Sequence, residues 1–278
     1  MDVYSEIVRL RREGHRSALA TIVASSGSIP GYLGAKLLVR EDGSIAGTIG
    51  GGCIEAQVIT AAREVLETGR ARRLTFDLSG PQIEESGLIC GGEMEVFLEP
   101  VFPQPEAFIF GAGHISRSLS KIASLAGFET VIVDDRESFA SRERFPEAAR
   151  IHTAPYEEIF PKLGINAFSY LLIATRGHKD DLRVLRLAAA GPARYVAMIG
   201  SRRKVAEMAS LLEKEGLPAA ALDRIYAPMG LDIGAVTPEE IAVSVVAEMI
   251  AVRRNAASGW RALSMSVSKG GRQSGPPG

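Results

Sequence analysis

The chain has 278 residues, of which 46% are hydrophobic and 23% charged, so it has the material for a large buried core and is not disordered over most of its length. Thirty-two Lys and Arg against 33 Asp and Glu leave a net charge of −1, which gives no electrostatic reason to expect nucleic acid or a membrane surface as partner. No apolar run approaches the ~20 residues of a membrane helix, and the length favours two domains of roughly 150 residues or fewer.

Residues 1–14 carry Val3, Ile7 and Leu10 at helical spacing, with Gly14 placed to close the helix. ALATIVASS (18–26) reads as a strand, and residues 35–41 with the run from Ile45 read as a hairpin around Asp42-Gly43-Ser44. After Gly50-Gly51-Gly52-Cys53, a helix with Ile54, Val58, Ala61, Val65 and Leu66 on one face is expected to stop at Gly69. RRLTFDL (72–78) and EMEVFLEP (93–100) alternate like strands, with Cys90-Gly91-Gly92 between them. PVFPQPE (100–106) holds three prolines and reads as an interdomain linker.

Beyond the linker the pattern becomes strand, helix, strand. Apolar runs at 107–110, 129–135, 150–154, 170–177 and 194–200, separated by helical patterns, predict a parallel sheet covered on both faces. Residues 230–236 read as a rigid loop or hinge around Gly230, Asp232 and Gly234. Thr237-Pro238-Glu239-Glu240 then opens a strong helix with the residues of a capping box.

FIFGAGHIS followed by VIVDD is the pattern of a dinucleotide-binding turn. Gly111 and Gly113 permit close approach of a pyrophosphate, the helix start offers free N–H groups, and Asp134 or Asp135 is placed to take a ribose hydroxyl. Ser116 stands where a third glycine is usual. Arg136 follows the acidic pair: it can favour a 2′-phosphate or another anion, or simply pair with Asp135 in solvent. Thr175-Arg176-Gly177-His178 and Gly200-Ser201-Arg202-Arg203 follow two later strands, so both turns are expected at the same ligand crevice. His114 and His178 are candidate proton donors.

Both cysteines are embedded in glycines. The positive end of a helix dipole favours the thiolate of a cysteine placed there, and Cys53 stands just before an expected helix start. Such a group can bind a soft metal or carry sulfur, whereas two inert buried thiols are the plainer reading. Glu55, beside it, is placed to orient a ligand or to be a solvated helix acid. With no apolar leader in the first 17 residues, a reducing, cytoplasmic compartment is expected.

Seven strings together resemble the XdhC/CoxI family of accessory factors for molybdenum hydroxylases. They are TIGGGCIEAQV (48–58), CGGEMEVFLEP (90–100), FIFGAGHIS (108–116), VDDRESFASRERFPEA (133–148), ATRGHKDD (174–181), MIGSRRK (198–204) and GLDIGAVTPEEIAVSVVAEMI (230–250). The resemblance implies an α/β architecture: an N-terminal α/β domain of the XdhC type over residues 1–103, and a C-terminal Rossmann-like, doubly wound parallel sheet over 104–258. Residues 259–278 are expected to be a flexible tail.

It further implies a maturation factor, not itself an oxidising enzyme. Such a factor holds the molybdenum cofactor in its molybdopterin form as cargo, supports its sulfuration and inserts it into xanthine dehydrogenase or a related molybdenum hydroxylase. Carried onto this chain, the loop of Cys53 becomes a candidate for contact with the metal or its sulfur ligand, and Glu55 and Cys90 join the candidates for holding the cofactor. Gly111, Gly113, His114, Ser116, Asp134, Asp135, Arg176, His178, Gly200, Ser201 and Arg202 become candidates for the pterin phosphate or its nucleotide extension. The cofactor is then expected between the two domains. A cysteine desulfurase is the expected sulfur donor, and a homodimer the expected assembly. Two other readings follow from the glycine turn alone: an NAD(P)-dependent oxidoreductase holding an NAD-like nucleotide, and a nucleotide-sensing binding module.

Overall fold

The computed structural model describes residues 2–78, 91–257, 259–260 and 263–266. It divides into two compact units, Met1–Gln104 and Pro105–Gly278.

The first unit is built on an antiparallel sheet. Helix α1 (Val3–Glu13) starts at the Asp2 carboxylate and stops at Gly14, whose φ of 80° is left-handed. Strands β1 (Ser17–Ser26), β2 (Lys36–Arg40) and β3 (Ile45–Gly47) precede helix α2 (Gly52–Thr68), and β4 (Arg72–Asp77) and β5 (Glu93–Val101) follow it. The order is β3-β2-β1-β5-β4, with every neighbour antiparallel. Alternation along the strands gives each face its own helix. Leu19 and Leu38 meet Leu10 of α1, while Ala18, Ala20, Ile22, Leu37 and Val39 meet Ile54, Val58, Ala62 and Val65 of α2. Glu6 is buried on α1 and accepts hydrogen bonds from Arg9 and Arg40. Those two guanidiniums hold its carboxyl down at about 2.

The expected proline linker is shorter than the sequence suggested. Strand β5 runs on to Val101 and the next strand starts at Glu106, so Pro100 belongs to the sheet, opposite Ala18. The partner strand β4 has already ended by then, at the Arg72–Leu98 pair, so on that side a residue without an N–H breaks no ladder bond.

The second unit is a parallel sheet of six strands with one antiparallel edge. The parallel strands are β6 (Glu106–Phe110), β7 (Glu129–Val133), β8 (Arg150–His152), β9 (Ser169–Ile173), β10 (Tyr195–Met198) and β11 (Ile225–Leu231). Strand β12 (Ser264–Ser266) adds antiparallel to β11. The spatial order β12-β11-β10-β9-β6-β7-β8 reads, from β8 to β11, as 3-2-1-4-5-6, the Rossmann order. Helices α3 (His114–Leu125) and α6 (Pro238–Arg253) cover one face, packing Leu119, Ala123, Val245 and Met249 against Ile109, Ile132 and Leu172. Helices α4 (His178–Ala189) and α5 (Arg202–Lys214) cover the other, packing Leu185, Ala188, Val205 and Met208 against Phe108, Val131, Leu171 and Val196. The inner strands β6, β7, β9 and β10 are therefore buried on both sides, which is why their sequences read as apolar runs.

Three expectations in this unit are corrected. Residues 134–149, between β7 and β8, form turns rather than a helix, and only one helical turn, Tyr156–Ile159, with a short 3-10 turn after it, separates β8 from β9. Residues 225–231, partly read as a hinge loop, form β11. Third, the chain past 258 is not all tail, because Ser264–Ser266 pairs with β11 at Tyr226 and Leu231. The buried Glu248 carboxylate explains that pairing: it accepts from the Ser264 hydroxyl, the Tyr195 hydroxyl and the Gly230 N–H at 3.0 Å. Burial pushes its carboxyl up. Among the described residues, no helix is long and apolar enough to cross a membrane.

Candidate functional site

In a sheet of this order the connections leave β6 and β9 in opposite directions, and the crevice between their carboxyl ends is where ligands bind. Gly111 stands at that point. Its φ is +101°, its N–H donates to Val133 O at 2.8 Å, and a Cβ there would lie 2.2 Å from Ala174 O at the end of β9. The chain itself demands glycine here. Gly113 differs. Its φ of −78° is ordinary and a Cβ would meet nothing within 4 Å. Among the described residues nothing crowds a side chain at 113, whereas a ligand pressed against the backbone would.

Gly113 is the N-cap of α3, and Gly177 the N-cap of α4; neither has a side chain to cap its helix, although the Gly177 N–H itself donates to the Thr175 hydroxyl at 3.5 Å. A Cβ at Gly177 would also meet open space. By contrast α5 is closed by the Ser201 hydroxyl, which accepts from Lys204 N at 3.3 Å, and α6 by a full capping box from Thr237 and Glu240. Two N-termini with positive dipole ends thus lie open on either side of the crevice.

The turn between Gly111 and Gly113 is clasped from residues 134–149. Asp134 is buried and has all four acceptor positions filled. Its Oδ2 accepts from Ala112 N at 2.7 Å and Arg136 Nη2 at 2.7 Å, and its Oδ1 from Arg136 N at 3.0 Å and Arg136 Nε at 2.8 Å. Burial alone would raise the Asp134 carboxyl, but these bonds outweigh it and hold it below its usual range. Arg144 reaches the other side of Ala112 and donates to its carbonyl at 3.2 Å. Both guanidiniums lie over the Phe139 ring, that of Arg136 3.9 Å and that of Arg144 5.0 Å from its centroid. Arg136 therefore pairs with Asp134. The expected exposed pair with Asp135 does not form, because Asp135 is taken by Arg176 at 2.9 Å.

The remaining charges sort by exposure. Asp181 is buried, accepts from Thr175 N and its hydroxyl, and pairs with Lys204, tying the β9 turn to α5. Arg176 bridges Asp135 and Asp180, with 46% of its side chain exposed. Arg202 meets Asp232 at 3.4 Å with both side chains more than half exposed. Exposed pairs of this kind are worth about 0–1 kcal/mol, so an anion arriving at Arg176 or Arg202 displaces little. The buried pairs of Asp134 and Asp181 are framework. His114 and His178 are the first residues of α3 and α4 and are exposed, and Ser116 is buried in α3 with its hydroxyl unpartnered.

In the first unit, helix α2 starts at Gly52, so Cys53 is its second residue rather than the residue before it. Cys53 is half-buried, against the cluster of Ile54 and Val58. Glu55 is half-buried rather than a solvated acid. Its Oε1 accepts from the Thr48 hydroxyl at 2.5 Å, Ile49 N at 3.0 Å and Gly51 N at 3.0 Å. Burial opposes ionisation, but these donors hold the Glu55 carboxyl below its usual range. Like α3 and α4, α2 starts from a glycine without a side-chain cap. Cys90 lies outside the described residues. Among the described residues, no three His, Cys, Asp or Glu side chains are grouped to hold a metal ion.

Residues 107–249 match the XdhC Rossmann domain, and residues 10–77 match the XdhC and CoxI family. The chain belongs to the XdhC and CoxI family. Among its relatives is YqeB of Escherichia coli K12, an uncharacterized protein 34% identical over 260 residues, which are 93% of this chain and 48% of that protein. A probable xanthine dehydrogenase subunit of Bacillus subtilis 168 is 30% identical over 162 residues, 58% of this chain and 47% of the relative. The molybdenum cofactor insertion chaperone PaoD of Escherichia coli K12 is 25% identical over 269 residues, 86% of this chain and 84% of PaoD. The chain thus spans about half the length of the first two. The crystal structure of a xanthine dehydrogenase from Bacillus halodurans shares the fold, with a TM-score of 0.52 at 24% identity over 93% of this chain and 98% of that one.

The fold brings Gly111, Gly113, His114, Asp134, Asp135, Arg176, His178, Gly200, Ser201 and Arg202 to the carboxyl ends of four adjacent strands, β7, β6, β9 and β10. Cys53 and Glu55 belong to the other unit. Sequence reading missed Arg144 and the Asp181–Lys204 pair. Their signal was faint: each is one more charge in a polar string, and only the register of neighbouring turns gives it a partner.

Proposed function

We propose that the chain holds the molybdenum cofactor as cargo and serves in the maturation of xanthine dehydrogenase or a related molybdenum hydroxylase. The observation that carries this reading is the pair of uncapped glycine starts of α3 and α4, with open space at Gly113 where a side chain would otherwise fit. Molybdopterin ends in a phosphate. Backbone N–H groups at two helix starts, with Arg176 and Arg202 nearby, supply what a phosphate needs. The name of PaoD and membership of the family support the same cargo.

Within this reading, Gly111, Gly113, His114, Gly177 and His178 lie along the phosphate, and Asp134 positions the turn instead of touching the ligand. Gly200, Ser201 and Arg202 border it on the β10 side. The glycine loop of Cys53, set by Glu55, contacts the metal or its sulfur ligand. A cysteine desulfurase supplies sulfur, the cofactor stays bound through that exchange, and the setting is the cytoplasm. The chain acts as a homodimer and performs no oxidation of its own.

The test is production in a host that makes the cofactor, anaerobic purification, and assay of bound molybdenum and pterin. Near-stoichiometric cofactor is expected in the wild type and little in Gly113→Asp. Cys53→Ser is expected to keep pterin but to deliver inactive cofactor to the apo-enzyme. Wild-type protein carrying no molybdenum or pterin, or holding a nicotinamide dinucleotide instead, overturns the reading.

A further inference from the structure

In a nucleotide-binding Rossmann unit, the acid at the end of the second strand holds a ribose by accepting from its two hydroxyls. Asp134 occupies that place, 23 residues after Gly111 and one past the end of β7. It cannot do that task in this protein. Four donors already fill its two oxygens, three of them from Arg136. A diol would have to evict a guanidinium that also stacks on Phe139, from a carboxylate only 1% exposed. What the end of β7 offers instead is the part of that guanidinium its bonds leave free, on a side chain 27% exposed, with the Arg144 guanidinium over the same ring. Two guanidiniums thus meet at this corner, while the neighbouring Asp135 carboxylate is engaged by Arg176 at 2.9 Å.

We propose that Arg136 selects what this site can hold: a ligand that places an anionic group such as a phosphate ester at the end of β7 is accepted, and one that places a ribose 2′,3′-diol there is turned away. This rests on the reading that the carboxyl ends of β6 and β9 are the ligand site, and adds the chemistry of one wall of it. Arg136 is the specificity-determining residue, and Asp134 serves to hold Arg136 and the turn.

The probes are NAD+ and NADP+, which differ only in having a free 2′-hydroxyl or a phosphate at that place. Calorimetric titration of the whole chain is expected to show NADP+ binding at least about tenfold tighter than NAD+, since the phosphate accepts a charge-assisted hydrogen bond where the diol is denied its acceptor. In Arg136→Ala two acceptor positions of Asp134 open, and the order inverts. Arg136→Lys keeps the charge without filling both oxygens, and falls between.

Equal binding of the two by the wild type, tighter binding of NAD+, or binding of neither overturns the proposal, and none of these needs a variant to fold. An Arg136→Ala protein that melts as the wild type does and still prefers NADP+ overturns it as well. The cofactor assay above is separate. A protein that purifies without molybdenum or pterin but prefers NADP+ would sink the cargo reading and leave this one standing. Cofactor-laden protein with no preference would do the reverse.

Discussion

Helices α6 and α3 are neighbours on one face of the parallel sheet and begin in opposite ways. Helix α6 opens with Thr237 and Glu240 each bonded to the other's backbone, so its first N–H groups are satisfied from within. Helix α3 opens on Gly113 with no side chain to take that place, and α4 does the same at Gly177 across the crevice. A capping box stabilises a helix by closing it to everything else. Leaving the box out forgoes about 1 kcal/mol per helix and leaves donors for something that is not part of the chain. Among these four helices of the second unit the separation is by place: α5 and α6 are closed by side chains, and the two at the switch point are not.

That contrast can be broken most severely at Gly111. A Val there would drive a Cβ into Ala174 O from a left-handed backbone, and Gly111→Val is expected to lose more than about 3 kcal/mol, read by urea denaturation. Stability like that of the wild type would mean that the turn is not packed as described. Asp134→Ala strips the clasp from Ala112 and strands a guanidinium, at an expected loss of about 3 kcal/mol. The pH dependence goes the same way. A carboxyl held below its ordinary 3.8 contributes its stability in full above that value and loses it as the pH falls further. Asp134→Asn should therefore flatten acid unfolding below about pH 4; an unchanged acid limb would show that Asp134 contributes nothing to it.

Smaller effects separate closed from open helix starts. Thr237→Ala is expected to lose about 1 kcal/mol and leave cofactor loading untouched. Gly113→Ala should change stability by less than about 1 kcal/mol, since both its space and its φ allow a side chain, yet it should lower loading several-fold. If the two variants behave alike, α3 is not a ligand site. Smallest of all is Arg202→Ala, expected within about 0.5 kcal/mol in a thermal melt because its pair with Asp232 is exposed. A larger loss would make that pair part of the framework.

Much of this was legible in the amino-acid sequence because the chain uses strong local signals. Gly14, Gly69 and Thr237-Pro238 stop or start helices where expected, and the strands buried on both faces announce a parallel sheet. Strand β11 was hidden by Pro228 and Gly230. It is tolerated because its ladder is interrupted there: the described pairs are at Ile225 and Tyr226 on one side, and at Tyr226 and Leu231 on the other. Residues 134–149 carry no apolar period, so their order comes from Ala140, Phe145 and Ala148 reaching the core and from charges finding Ala112 and Phe139, long-range facts that no window reveals. The same holds at the candidate site. Glycines and arginines could be placed at strand ends from spacing alone. Which acid is saturated, which ion pair is exposed and which glycine has room beside it depends on three-dimensional neighbours.

Strand β12 carries a consequence for anyone shortening the chain. The XdhC Rossmann match ends at residue 249, which invites a cut soon after α6. Such a cut removes the Ser264 hydroxyl from Glu248, leaving a buried carboxylate short of a donor, and uncovers the N–H and C=O groups along β11. A bare outer strand presents unpaired backbone groups that recruit other strands. Protein ended at residue 258 should therefore self-associate at concentrations where the longer chain stays dispersed.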